Sequence, residues 1–536
     1  MRLYRAIIAR GAAFLGVAFL SLGAVWAANE VSGAVRGGTL SIAMNAEPSV
    51  LTSAFDTLPQ TQLVSSKIAE GLLAYDQGFN PLPQLATRWL MSPDGLRITF
   101  ELRESVSWHD GRPFTSADVA FSVMNVWKEL HGRGRSTFAN VISVETPGPN
   151  QAIFVLSKPS PYILNALAAS ESPILPKHIY EGKDIRTNAA NTSPIGTGPF
   201  RFKSWDRGSN IVLERNPAYW QPQRPYLDRI VFMVIPDPAG RAAALESGQV
   251  LLTVQSGVPL SDVKRLAALP TLEYTTAGYR HEAASMLVEF NLDRPQLQDL
   301  RVRRAIAHAI EPAFIAENIR YGFGEVATGP IPQTQKKFYS ADVARYPYNP
   351  ALANKLLDEA GKGRGEQKVR FRLTIDPIPA GDVYIRAAEY LRQSLADVGI
   401  DLVLRNQDFP SYVRRVYSDR DFDLTLTAAS ATADPAIGIQ RFYWSKNLKR
   451  GVAFTNTSNY RSPDADRLLE GASSEIDPEK RSADYAEFQR VVMTDLPIIP
   501  LVAVEHVTLA NKRVRNHSVA GDGVYSNFAD VYLIPK

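Results

Sequence analysis

Residues 68–121 leave the chain few ways to fold. They run from Ile68-Ala69-Glu70-Gly71-Leu72-Leu73, through Ser92-Pro93-Asp94-Gly95, to Ser107-Trp108-His109-Asp110-Gly111-Arg112-Pro113-Phe114-Thr115. Ile98, Phe100 and Leu102 alternate with polar residues, the period-two pattern of a strand buried on one face. Asp94-Gly95 and Asp110-Gly111 are turn pairs in which glycine supplies a positive φ. Thr115 with Asp118 three residues on makes a capping box, and Val119, Val123, Val126 and Leu130 give the next helix one apolar stripe. Local signals alone thus specify a hairpin feeding a helix. His109 and Asp110 look like an acid/base pair, but a hairpin tip accounts for them better.

Composition decides what can hold such a unit together. No cysteine occurs in the 536 residues, which excludes disulfides, thiolate metal sites and a lipidated N-terminal Cys. Residues 1–27 read as a secretory leader. Arg2, Arg5 and Arg10 form its basic end, Gly11 to Leu22 its apolar core, and Val25-Trp26-Ala27 a small-residue site cut between Ala27 and Ala28. The apolar core is too short for a comfortable membrane span. An exported chain without disulfides must rest on its hydrophobic core, and this length suffices for two to four folding units. Formal net charge is +4, and three of the cations lie in the leader, so the remainder is close to neutral. Without a basic tract, nucleic acid is not an expected partner.

Along the chain, helical and strand patterns alternate. Thr39 to Met44 is a strand leaving through the loop Asn45-Ala46-Glu47-Pro48. Ile195-Gly196-Thr197-Gly198-Pro199 lacks the Lys and Ser/Thr of a phosphate loop and reads as a tight turn between strands. Asp237-Pro238 and Asp477-Pro478 open helices, with Asp as cap and Pro in the first turn. Arg301 to Ile310 is a helix whose Arg301, Arg303 and Arg304 read as a solvated face. A stripe from Tyr384 to Val398 precedes the strand Ile400 to Leu404, and further strands cover Asp423 to Thr427 and Ile498 to Val504. This alternation is α/β.

The run LRxxVxWHDGxPFTxxDVxFS resembles the extracytoplasmic solute-binding proteins of peptide, nickel and opine ABC importers. So do IGTGPFRFKSWDRGSNIVLERNPAYW, IPDPAGRAAALESGQV and the Arg-rich helix start at Leu300 to Ile306. The resemblance implies an α/β, two-lobed periplasmic binding protein fold of the large cluster-C type, with mixed sheets, a hinge and a small extra subdomain in the first lobe. The first lobe would comprise 28–64, 194–288 and 500–536, the small subdomain 65–193, and the second lobe 289–499, with Phe290-Asn291-Leu292 as a hinge strand. It implies a periplasmic monomer that closes on a peptide-like or opine-like solute and delivers it to a permease in the inner membrane, without cofactor or lipid anchor. The same fold could bind an oligosaccharide or act as a chemosensory ligand receptor. A secreted enzyme is the remote alternative.

Enzyme signatures fail one by one. There is no Gly-x-Ser-x-Gly elbow, and His281-Glu282 begins like a zincin helix but lacks its second His. The seven histidines show no metal spacing. A binding protein needs instead apolar walls and a few polar groups that fix orientation. Ser430-Ala431-Thr432-Ala433-Asp434-Pro435, then Phe442-Tyr443-Trp444, follow a strand's carboxyl end and are expected to form one wall of the cleft. Glu47, Gln60 and Gln62 from first-lobe loops, and Ser172 before Pro173, suit a ligand rich in amides or hydroxyls. Relatives that grip a free α-amino group use an Asp four residues before the Pro of this loop, where this chain has Ala431. The dipeptide branch holds the terminal carboxylate with an Arg at the place taken here by Ile378. A buried charge without its partner costs more than ~3 kcal/mol, so a zwitterionic dipeptide would be a poor ligand. Longer or modified peptides, opine-like conjugates and oligosaccharides stay open.

Overall fold

The computed structural model describes residues 34–365 and 367–535. The leader and its cleavage site lie outside the described residues. Three sheets organise the rest.

Thr39–Met44 lies inside a seven-stranded mixed sheet, parallel to Arg229–Val234 on one side and to Leu252–Thr253 on the other. Asn210–Arg215 and Phe200–Asp206 extend it antiparallel at one edge, Thr508–Asn511 and Leu272–Thr275 at the other. A separate four-stranded antiparallel sheet is ordered Ala86–Met91, Arg97–Leu102, Gln151–Leu156, Val141–Gly148. It carries the hairpin read from sequence. Ile98, Phe100 and Leu102 are its buried face, Gly95 and Gly111 hold φ of 68° and 88°, and Thr115 N–H donates to the Asp118 carboxylate at 2.9 Å.

The third sheet has six strands. In order they are Gly324–Val326, Ile498–Val504, Ala284–Phe290, Leu424–Ser430, Phe371–Pro377 and Ile400–Leu404. The last three are parallel, with the helix Asp382–Asp397 crossing between Phe371–Pro377 and Ile400–Leu404. This sheet corrects the expected boundaries at 288/289 and 499/500. Ala284–Phe290 pairs along its whole length with Leu424–Ser430, and Ile498–Val504 pairs with it from the other side. Met286, Val288 and Phe290 enter one core and Leu287 another, so burial of both faces fixes the strand in the second lobe. Phe290-Asn291-Leu292 is consequently no hinge: Asn291 is tied to the carbonyls of Arg420 and Phe422. The chain passes between the large sheets at 276–283 and again at 505–507.

Two further readings change. Gly196 and Gly198 serve close approach rather than a turn between strands: a Cβ on either would fall 1.9 or 2.6 Å from the Ile68 carbonyl oxygen. Arg303 is not solvated. It is buried and donates to the carbonyls of Leu297, Gln298, Asp495 and Leu496, the last two at the end of the helix Pro478–Asp495. A helix end leaves such carbonyls without intrahelical donors, and an arginine supplies them.

The signature stretch is anchored on a buried carboxylate. Glu70 accepts from Tyr219 Oη at 2.7 Å, Thr197 Oγ1 at 3.0 Å, Trp220 Nε1 at 3.0 Å and Gln84 Nε2. His109 Nδ1 accepts from Gly196 N–H at 3.2 Å, so Nε2–H donates to the Gly198 carbonyl at 2.9 Å. Glu70 and His109 thus bind the hairpin unit to the 196–220 segment.

Candidate functional site: the cleft between the lobes

The loop after Leu424–Ser430 leaves the carboxyl end of that strand and docks on the small subdomain. Thr432 takes φ of 53°, and Gly438 packs so close to Ala431 that a Cβ would fall 2.3 Å from its carbonyl oxygen. Asp434 is fully buried and gripped by Arg481 at 2.8 and 2.6 Å. It also accepts from Asn165 Nδ2 of the small subdomain at 3.0 Å, and Ile437 joins that subdomain's core. The two lobes therefore touch through this loop.

Beside it lies a cavity of about 30 Å³, roughly the space of a few waters. Thr432, Ala433 and Ile437 line it from the second lobe; His131, Arg133 and Glu171 line it from the small subdomain. Arg133 and Glu171 pair bidentately at 2.9 and 2.5 Å, and Gln62 Nε2 donates to Glu171 at 2.9 Å. Burial pushes the Glu171 carboxyl up, but Arg133, His131 and Gln62 together hold the group below its ordinary value. Burial, helped by Arg133, lowers His131 to about 4, so its ring is neutral at pH 7.

His281 of the first crossover also lines the cavity. Next to it Glu282 meets His506 of the second crossover at 3.1 Å and accepts from Gln255 Nε2 at 2.7 Å. Burial opposes ionisation of Glu282, yet His506 and His281 bring it down to about 2. His281 and His506, far apart in sequence, thus meet around one carboxylate. Among the described residues no group of three His, Cys, Asp or Glu could hold a metal ion.

Of the residues singled out in the sequence, Ser172, Thr432 and Ala433 reach the cavity. The Ser172 hydroxyl donates to its own loop at Ala166 O, 2.6 Å away. Gln62 stands one shell behind, holding Glu171. Ser430 Oγ donates to the Glu282 carbonyl, and Ala431 is fully buried with its N–H on Ala283 O. Asp434 is spent on Arg481. Glu47 accepts from Trp205 Nε1 at 2.7 Å and Gly208 N at 3.0 Å, and Gln60 donates to Asn45. Both fix first-lobe loops and neither lines the cavity. The expected aromatic wall is core instead. Tyr443 packs on Tyr460 and Phe488, and Trp444 Nε1 bonds Glu470 at 2.8 Å. Ile378, at the place of the carboxylate clamp, is buried and bonded through its N–H to Leu426 O. His131, Arg133 and Glu171 stood out in no sequence pattern, and His281 only as an incomplete zincin start. The one available signal was the Ser170-Glu171-Ser172 loop, of which only the serine was singled out.

Residues 80–449 match the model of the bacterial extracellular solute-binding proteins, family 5. The chain is similar to the putative ABC transporter peptide-binding protein BOV_A0352 of Brucella ovis, 29% identical over 96% of this chain and 94% of that one. It is similar in structure to DppA from Helicobacter pylori in complex with the peptide STSA, with TM-score 0.79 and 27% identity, covering 93% of this chain and 98% of that one. It also shares its fold with AgaA from A.tumefacien R10 in complex with agropinic acid. There the TM-score is 0.78 and the identity 24%, covering 93% of this chain and 99% of that one. The chain belongs to the family 5 extracellular solute-binding proteins.

Proposed function

We propose, with membership of family 5 as the premise, that this protein is the substrate-binding subunit of an ABC importer for peptide-like or opine-like solutes. It captures the solute between its lobes in the periplasm, after cleavage between Ala27 and Ala28, and delivers it as a monomer to a permease of the inner membrane. The observation that carries this reading is a cavity lined from both lobes, which are joined through two short crossovers. Such a cleft binds more tightly closed than open, because closure removes water from the ligand. The peptide-binding and agropinic-acid-binding relatives support the ligand class. Thr432 and Ser172 are the ligand contacts among the residues expected from sequence, with Gln62 positioning Glu171. With Ala431 buried and lacking a carboxylate, a free α-ammonium has no partner at that position.

Native mass spectrometry of freshly purified protein, followed by thermal melting against peptides, opines and oligosaccharides, tests the reading. A ligand present at a hundred times its Kd adds about 2.7 kcal/mol to stability. A library in which no peptide or opine raises the melting temperature sinks the proposal. A ligand recovered chemically altered points to an enzyme instead.

A further inference from the structure

The lobes also meet away from the pivot, where residues 434–438 form a knob on the second lobe. Asp434, at its base, receives Arg481 through both carboxylate oxygens and the Ala436 N–H at 3.0 Å. Its backbone carbonyl accepts from the N–H groups of Ile437 and Gly438 at 2.9 and 3.1 Å. Arg481 is itself 5% exposed and donates through Nε to Ala472 O at 2.7 Å. All of these partners belong to the second lobe. The knob is therefore built before it meets anything, and it keeps its shape wherever the first lobe stands.

The small subdomain receives it. Ile437 is buried within that subdomain's core, and Ala436 packs against the same core. Asn165 Nδ2 donates to Asp434 Oδ2 at 3.0 Å, and its turn, Pro161–Asn165, lies against the second-lobe helix Pro463–Ser474. Just beyond that helix, Ile476 lies against the tip of the signature hairpin. A Cβ on Gly95 would fall 2.7 Å from Ile476 Cδ1 and 2.8 Å from Pro159 Cβ. Ile476 stands outside the cavity lining. None of these contacts involves a solute. Opening the lobes would return Ala436 and Ile437 to water and break the Asn165 bond, and the burial of apolar area favours the reverse.

We infer that the small subdomain is a clasp that closes the lobes without a solute, so that the ligand-free protein already populates the closed arrangement. A solute's apparent Kd is its intrinsic Kd divided by the fraction of molecules in the competent state. A clasp that raises this fraction tightens capture without touching the solute. Ala431 and Ile378 supply no charged clamp, and the clasp sets part of the affinity through protein–protein contact instead. The inference goes beyond the capture reading and is independent of the solute's identity.

The test needs no solute. The chain has no cysteine, so nitroxide labels attach only at introduced ones, Glu181→Cys in the small subdomain and Lys355→Cys in the second lobe, both exposed positions. The full mature protein is unfolded and refolded to strip any co-purified solute, and pulsed electron double resonance then reads the distance between the labels. A population at the separation of this structure is expected, above about 10% of molecules, more than a minor conformer usually holds. Ile476→Asp, which sets a carboxylate against the hairpin tip, should lower the closed-to-open ratio about tenfold. Asn165→Ala should lower it less, and Ile476→Val should leave it unchanged. A single open population in the labelled protein overturns the inference. So does a closed population that survives both Ile476→Asp and Asn165→Ala, and Asn165→Ala alone decides if the aspartate variant fails to fold. Either negative result leaves solute-driven closure standing, since the melting screen above decides the capture reading separately.

Discussion

Glu70 and Arg441 are charges in opposite surroundings, one fully buried and the other half-buried. Glu70 is fully buried, and hydroxyl, indole and amide donors converge on its two oxygens. Arg441 has five N–H donors and, among the described residues, one long bond. The two neutral histidines repeat the contrast. His109 is bonded at both ring nitrogens, His131 at one. A buried polar group whose partners are complete holds the fold. One whose partners are incomplete costs stability unless solvent reaches it.

The largest effect expected is from breaking the complete side. Glu70→Ala leaves Tyr219, Thr197, Trp220 and Gln84 without their acceptor, and should cost on the order of 4 kcal/mol, since each buried unsatisfied donor costs about 1–3. Urea unfolding measures it, and a loss below about 1 kcal/mol would mean that the network is not structural.

Acid should erode both sides. His109, His131 and His517 are each held at about 4 by burial, below the 6.5 of an unfolded histidine. Between these values the unfolded chain binds more protons than the folded one, so stability falls as the pH drops from 6.5 to 4 and levels off below. Each contributes up to about 3 kcal/mol. Melting temperatures that stay constant from pH 7 to pH 4.5 would contradict the burial of these rings.

The smallest effect belongs to Trp444→Phe. It loses one bond to Glu470, which keeps Lys446 at 2.6 Å, so the cost should be about 1 kcal/mol with ligand affinity unchanged. A tenfold weaker Kd would put Trp444 back in the cleft wall.

The hairpin of residues 86–118 was legible because its information is local: alternation, Asp-Gly turns and a cap lie within a few residues of one another. The helix Pro478–Asp495, capped by Asp477, and the strand Ile400–Leu404 came out for the same reason. The crossovers did not. Ala284–Phe290 is buried on both faces, and nothing in its apolar run says which sheet receives it. The cleft was least legible. Arg133 and Glu171 are 38 residues apart, and His281 meets His506 only after two lobes have formed. Tyr443 and Trp444 misled because an aromatic cluster beside a strand end reads alike as wall or as core.

Glu282 belongs at once to three parts of the molecule. Its carboxylate is held by His506 and Gln255, and its backbone carbonyl accepts from Ser430 Oγ and from Thr432 N–H at 3.3 Å. Thr432 lines the cavity, and Glu282 is in the pivot. Cleft floor and pivot are therefore linked through a single residue, as a latch is to its spindle. Whatever touches Thr432 is thus one hydrogen bond away from the strand-to-strand crossover.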